Sequence, residues 1–143
     1  MREGGFTLME TLVVLSVTIT LMTIGATVQV HVMDEYRTEQ FFKQFQMDVL
    51  YMQQHTTTTS ELLYLNFNPT LRYYEVKTAG IGKSILKRPL PKNWIVDMQT
   101  MKAITFSANG TIKNPGVFRI HSQTSTFLIN FPFGKGRCYI VEI

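Results

Sequence analysis

Between Thr11 and Met33 the chain runs for 23 residues without a formal charge. As a helix that run extends roughly 35 Å, enough to cross a bilayer with some tilt. Arg2 and the amino terminus precede it, Asp34 and Glu35 follow it, and this bias favours an N-terminus on the inner side. A cleavable secretory signal would place small residues after the apolar run. Here Gly4 and Gly5 come before it and no Ala-x-Ala follows, so the run is expected to be retained. Thr11, Ser16, Thr18, Thr20, Thr23, Thr27, Gln29 and His31 interrupt the block, and Gly25-Ala26 leaves a small spot for close approach. Such hydroxyls bond either to their own helix or across to a neighbour, which hints at helix packing beyond simple anchoring. At the edge stands Glu10, with no base close enough along the chain to neutralise it. A carboxylate within a membrane helix costs roughly 2.5–3.5 kcal/mol, so Glu10 is a functional candidate.

Past Met33, apolar residues recur at Tyr36, Phe41, Phe42, Phe45, Val49 and Met52. Spacings of three and four predict an amphipathic helix that continues the block. The β-branched run Thr56 to Thr59 predicts its end near His55. A single rod from Phe6 to His55 would measure about 75 Å.

From Glu61 onward the pattern changes to alternation. Leu62–Phe67 and Leu71–Lys77 flank Asn68-Pro69-Thr70 and predict a hairpin. Residues 79–92, with Gly80, Gly82, Pro89 and Pro91, read as a loop. Trp94–Val96 predicts a short strand. Ile104–Phe106 and Thr111–Lys113 flank Asn109-Gly110, the strongest short hairpin signal in the chain. Val117–Ile120, Thr126–Phe131 and Arg137–Val141 complete the strands, with a turn at Gly134 to Gly136. The expected class is α+β: a long N-terminal helix, half membrane and half amphipathic, packed in a pilin-like way on one C-terminal antiparallel sheet. The expected boundaries are 1–5, 6–33 for the transmembrane and assembly helix, 34–60 for the amphipathic extension and 61–143 for the globular sheet domain.

The formal net charge is +4, unevenly placed. Residues 72–137 hold eleven Lys or Arg against Glu75 and Asp97, while residues 34–61 hold five acids against two bases. A basic surface attracts nucleic acid, acidic proteins or wall polyanions, although charge runs are more often solvated faces. Lys83, Lys87, Arg88 and Lys92 are the candidate DNA or partner contacts.

No catalytic grouping emerges. His31, His55 and His121 lack metal-ligand spacing. Gly80-Ile-Gly82-Lys83-Ser84 lacks the spacing of a phosphate-binding loop. No metal, no cofactor and no enzymatic activity are expected. The lone Cys138 excludes a disulfide framework and reads as a small buried strand residue.

The run Gly5-Phe6-Thr7-Leu8-Met9-Glu10 ahead of an apolar helix resembles the class III signal of type IV pilins and pseudopilins. Ile104–Thr111 and the terminal hairpin from Gly134 to Tyr139 resemble the minor pseudopilins. The chain is most similar to the ComGD-type competence pseudopilins of Gram-positive bacteria. That resemblance implies cleavage by a prepilin peptidase between Gly5 and Phe6 and N-methylation of Phe6. It implies residence in the cell membrane as a single-pass protein, with the C-terminal domain outside and later at the cell surface. It also implies assembly with other pseudopilins, driven by an assembly ATPase and a polytopic membrane protein, into a filament that serves DNA uptake in transformation. The alternatives are a minor pseudopilin of a type II-like secretion system and a surface DNA-binding subunit. Pilins often carry a proline inside this helix; here there is none, and Gly25 is the expected soft point. Cleavage would create an ammonium four residues before Glu10. A pair between Glu10 and a neighbouring subunit's terminus would mark the stacking register, since two buried charges are tolerable together and costly apart.

Overall fold

The structure, a computed structural model, describes residues 7–80, 82–99, 101–134 and 136–143, with the backbone alone for 25–31. Helix α1 (Leu8–Thr59) is followed by seven strands: β1 (Leu63–Asn68), β2 (Tyr73–Thr78), β3 (Ser84–Pro89), β4 (Ile95–Asp97), β5 (Gly116–His121), β6 (Thr126–Phe131) and β7 (Tyr139–Glu142). The chain divides into two compact units, Met1–Tyr36 and Arg37–Ile143.

The structure overturns the expected architecture of one long helix on one sheet. The strands form two antiparallel sheets, ordered β1-β2-β3 and β4-β5-β6-β7. The boundary between the two units, after Tyr36, runs through α1, so the helix is not one element packed along its length on the sheets. Among the described residues no helix is long and apolar enough to cross a membrane. The pilin-like rod packed on a single sheet is therefore replaced by a helical first unit and a second unit of helix and two sheets.

The first unit starts with a cap. Thr7 accepts at its Oγ1 from Glu10 N–H (3.3 Å), and its carbonyl accepts from the N–H groups of Glu10 (3.1 Å) and Thr11 (3.2 Å). Side-chain oxygens at this position satisfy amides that have no partner inside the helix. Leu12, Val13, Val14, Leu15, Val17 and Ile19 beyond the cap are all exposed, so the described residues of this unit bury no core of their own.

The second unit is built around helix residues 41–52. Phe41 packs edge-on against Tyr74 of β2 (centroids 6.0 Å apart) and Trp94 (4.9 Å), while Phe42 meets Phe127 of β6 (4.7 Å). Phe45, fully buried, touches Phe67 of β1 and Phe118 of β5. The apolar stripe thus faces both sheets at once, and Leu63, Leu65, Val76, Ile120, Ile129 and Phe131 complete the core. At a period of two, these strand residues all point to the helix side.

The helix outlasts its expected end at His55 by four residues. Thr57 and Thr59 hydroxyls donate to the carbonyls of Gln54 and His55, which offsets part of their poor helix propensity. Ser60, at φ 59°, then turns the chain, and its N–H bonds to the Thr56 carbonyl.

Two local expectations also fail. Residues 84–89 form a strand where a loop was predicted, pairing with β2 through a register shift between Val76 and Lys77. Pro89 is tolerated because it closes an edge strand, where no N–H is needed. Conversely, Ile104–Phe106 and Thr111–Lys113 do not become a two-stranded hairpin. The Asn109-Gly110 turn forms, with Gly110 at φ 74°, and its arms share the Phe106–Ile112 bridge and the bonds from Ser107 N–H to the Thr111 carbonyl (2.8 Å) and from Lys113 N–H to the Thr105 carbonyl (2.9 Å), without extending into strands. Leu65 and Ile104 exchange both backbone hydrogen bonds (2.9 and 3.0 Å), so Ile104 pairs with β1 in place of the other arm.

Candidate functional site

Gly5 and Phe6, the expected processing site, lie outside the described residues. Glu10 lies in the first turn of α1, at the third helical position after the Thr7 cap. Thr7-x-x-Glu10 has the spacing of a capping box, and the positive end of the helix favours a carboxylate there. The helix terminus is thus a source of compensation for Glu10 that needs no basic residue. Its signal was present in the sequence as a Thr three residues before the Glu.

The polar residues of the apolar block are satisfied within their own helix. Thr11, Ser16, Thr18 and Thr20 each donate to a carbonyl three or four residues earlier at 2.8 Å, and Thr23 donates to the carbonyls of Ile19 and Thr20. With their donors used internally, these hydroxyls leave an almost wholly apolar exterior. The side chains of Gly25, Ala26, Thr27, Gln29 and His31, which were expected to take part in packing, lie outside the described set.

The four candidate basic contacts do not gather into one patch. Lys83 precedes β3 and Lys92 follows it, both exposed. Lys87 lies on β3 with its Nζ 3.6 Å above the Tyr73 ring centroid, a cation–π contact. Arg88, its neighbour in the strand, points to the opposite face. There its Nε donates to Asp48 Oδ2 at 3.1 Å.

That contact belongs to a cluster invisible in the linear sequence. Asp48, 4% exposed, accepts from Tyr74 Oη (2.7 Å), Arg88 Nε and Gln44 Nε2 (2.8 Å). Burial, then the hydrogen bond to Asp48, pushes the Tyr74 hydroxyl far above its ordinary pKa, so it remains a donor. The Asp48 hydrogen bond and charge likewise raise Arg88. Tyr74 and Arg88 hold α1 to the first sheet through Asp48, and Gln44 bonds Asp48 from within the helix. The available signal was an aspartate at a stripe position, seven residues after Phe41.

A depression of about 260 Å³ lies between α1 and the segment before β7, lined by Gln46, Val49, Leu50, Gln53, Gly136, Arg137 and Cys138. Cys138 is half-buried, outside the strand it was expected to join. Burial pushes its thiol up to about 11, which keeps it protonated and a poor nucleophile at neutral pH. Gln53 donates to the Gly110 carbonyl at 2.7 Å and lies directly against Gly136, so one side chain holds two turns to the helix.

Among the described residues no three His, Cys, Asp or Glu side chains are arranged to hold a metal ion. No protein-family model, curated protein or solved structure matches the chain.

Proposed function

We propose that the chain is a minor pseudopilin, a structural subunit of a competence pseudopilus that serves DNA uptake. Prepilin peptidase cuts it between Gly5 and Phe6, and the first unit carries it into the assembly. The observation that carries this reading is the run Gly5-Phe6-Thr7-Leu8-Met9-Glu10 leading into a helix whose apolar side chains are left exposed. Leu8, Met9, Leu12, Val13, Val14 and Leu15 are all more than half exposed in the isolated chain. An apolar exterior of that extent is costly in water and calls for lipid or other helices around it. In this reading the apolar residues through Met33 lodge in the cell membrane before assembly, with the N-terminus cytoplasmic and the second unit outside. Other pseudopilins then replace lipid around the helix, and Glu10 meets the new terminus of a neighbouring subunit.

Mass spectrometry of the mature N-terminus tests the class. A chain beginning at N-methylated Phe6 supports it, and an intact Met1 removes it. Deleting the gene and measuring transformation against protein export separates a competence pseudopilus from a type II-like secretion pseudopilus.

A second reading, surface binding of DNA, is favoured by the outward placement of Lys83, Lys87 and Lys92. Binding through phosphate contacts weakens steeply with salt. If binding to duplex DNA is absent, or is insensitive to salt between 50 and 200 mM, this reading falls.

A further inference from the structure

We infer that β7 is a self-pairing edge through which the second units of two copies of this chain join their four-stranded sheets. The inference is independent of the processing and filament reading.

The two sheets treat their open edges differently. β3 ends the first sheet with Lys87, Arg88 and Pro89, and its pairing to β2 carries a register shift. Charged side chains, proline and bulges are the usual devices that prevent one edge from pairing with another. β4, an edge of the second sheet, is three residues long and holds Asp97. β7, the other edge of that sheet, reads Tyr-Ile-Val-Glu, with no base, no proline and no bulge, and its one charge, Glu142, already accepts from Ser125 Oγ beside β6. Tyr139 is 48%, Val141 52% and Ile143 64% exposed.

The backbone determines which partner fits. Ile143 N–H bonds to the Thr126 carbonyl of β6 at 2.9 Å. Backbone groups alternate sides along a strand, so those of Tyr139 and Val141 also face β6, and those of Ile140 and Glu142 face the open edge. An antiparallel second copy centred on Val141 sets Ile140 opposite the partner's Glu142, and Glu142 opposite the partner's Ile140. Each of these is a hydrogen-bonded pair, so all the edge-facing groups of the strand are used. The same register sets Val141 against its own copy and Tyr139 against the partner's Ile143. The two outer faces then join into one apolar ladder, which continues onto Leu128, the β6 neighbour of Val141. No like charges oppose each other in this register. A contact in which one patch meets itself closes on a two-fold axis and ends at a dimer.

The test uses the full chain in detergent micelles, with Cys138→Ser removing the native thiol. Val141→Cys is oxidised with copper phenanthroline, and Ile95→Cys on the opposite edge is treated identically. At a non-hydrogen-bonded antiparallel pair the two Cα atoms lie about 4.5 Å apart, within disulfide reach. The expected result is about tenfold more disulfide dimer for Val141→Cys than for Ile95→Cys. Adding Glu142→Pro removes an edge-facing N–H and leaves the bonds to β6, and it should lower the Val141→Cys yield at least about fivefold. Equal yields at the two cysteine positions overturn the inference. So does a Val141→Cys yield that Glu142→Pro does not change, because association would then run through the apolar face and not through strand pairing.

Discussion

The Tyr74 hydroxyl donates to Asp48 Oδ2 across 2.7 Å inside the second unit, joining residue 48 of the helix to residue 74 of the first sheet. Arg88 reaches the same carboxylate from β3, so one aspartate ties the helix to two adjacent strands. Leaving a buried carboxylate short of a donor costs more than the bond contributes on its own. Asp48→Ala is expected to destabilise the second unit by about 3 kcal/mol and Tyr74→Phe by about 1–2 kcal/mol. Urea unfolding followed by circular dichroism measures both, and Tyr74→Phe should be the milder.

Alkaline pH should weaken the fold through Cys138. Burial raises this thiol from 9.0 to about 11, so the folded state holds the proton more tightly than the unfolded chain. The stabilisation is complete below about pH 9 and is lost as pH rises toward about 11. Cys138→Ala should flatten this part of the pH profile. Melting temperatures between pH 8 and pH 11, compared for the two proteins, check the sign. Tyr74, raised in the same sense, extends the decline to still higher pH.

Gly136 is required by a close approach. A Cβ there would run into the Gln53 side-chain amide and come within 2.5 Å of the Gly110 carbonyl oxygen. Gly136→Ala must push Gln53 away from Gly110, with an expected cost of about 1–3 kcal/mol. Gly134→Ala meets no neighbour but is strained by its φ of 72° and should cost about 1 kcal/mol. Thermal unfolding of the two variants separates steric from conformational cost, because adding Gln53→Ala should relieve part of the Gly136→Ala cost, leaving the approach to the Gly110 carbonyl, and none of the Gly134→Ala cost.

Phe45 is the one side chain of the stripe whose ring meets Phe67 in the first sheet and Phe118 in the second. Phe45→Ala should cost about 3–5 kcal/mol, and Phe45→Leu much less. The larger loss should appear together with a weakened near-ultraviolet circular dichroism signal, since Phe67 and Phe118 both lose the ring they pack on.

Glu10 and Thr7 should separate into different defects. Thr7→Ala removes a cap worth about 1 kcal/mol and should fray the first helical turn. Glu10→Gln and Glu10→Val should leave cleavage after Gly5 intact and reduce incorporation into a filament several-fold. Immunoblots of processing and of sheared surface fractions measure the two. Normal incorporation of both Glu10 variants would remove the register role.

The helical stripe at Phe41, Phe42, Phe45, Val49 and Met52 was legible because helical period is local: spacing alone says which side chains share a face. β6 was legible over its full length, and the Asn109-Gly110 and Gly134 turns for the same local reason, since glycine tolerates positive φ. β3 was not, because Gly, Pro and Lys-Arg signal a break as readily as a protected edge. The capping spacing of Thr7 and Glu10 is equally local and stands in the sequence as a Thr three residues before a Glu.

The helix-then-strands order, the apolar character of the first helix and the inward faces of β1, β2, β5 and β6 follow from the sequence alone. They depend on residues a few positions apart. Tertiary structure decided that the strands divide into two sheets, that Ile104 spends its backbone bonds on Leu65, and that Arg88 turns inward while Lys87 turns out. Strand alternation names a face but not a partner, and a basic residue carries the same charge whether water or a buried aspartate receives it. Only the folded second unit, which places Asp48 beneath β2 and β3, made Arg88 part of the framework and left β7 with an open edge.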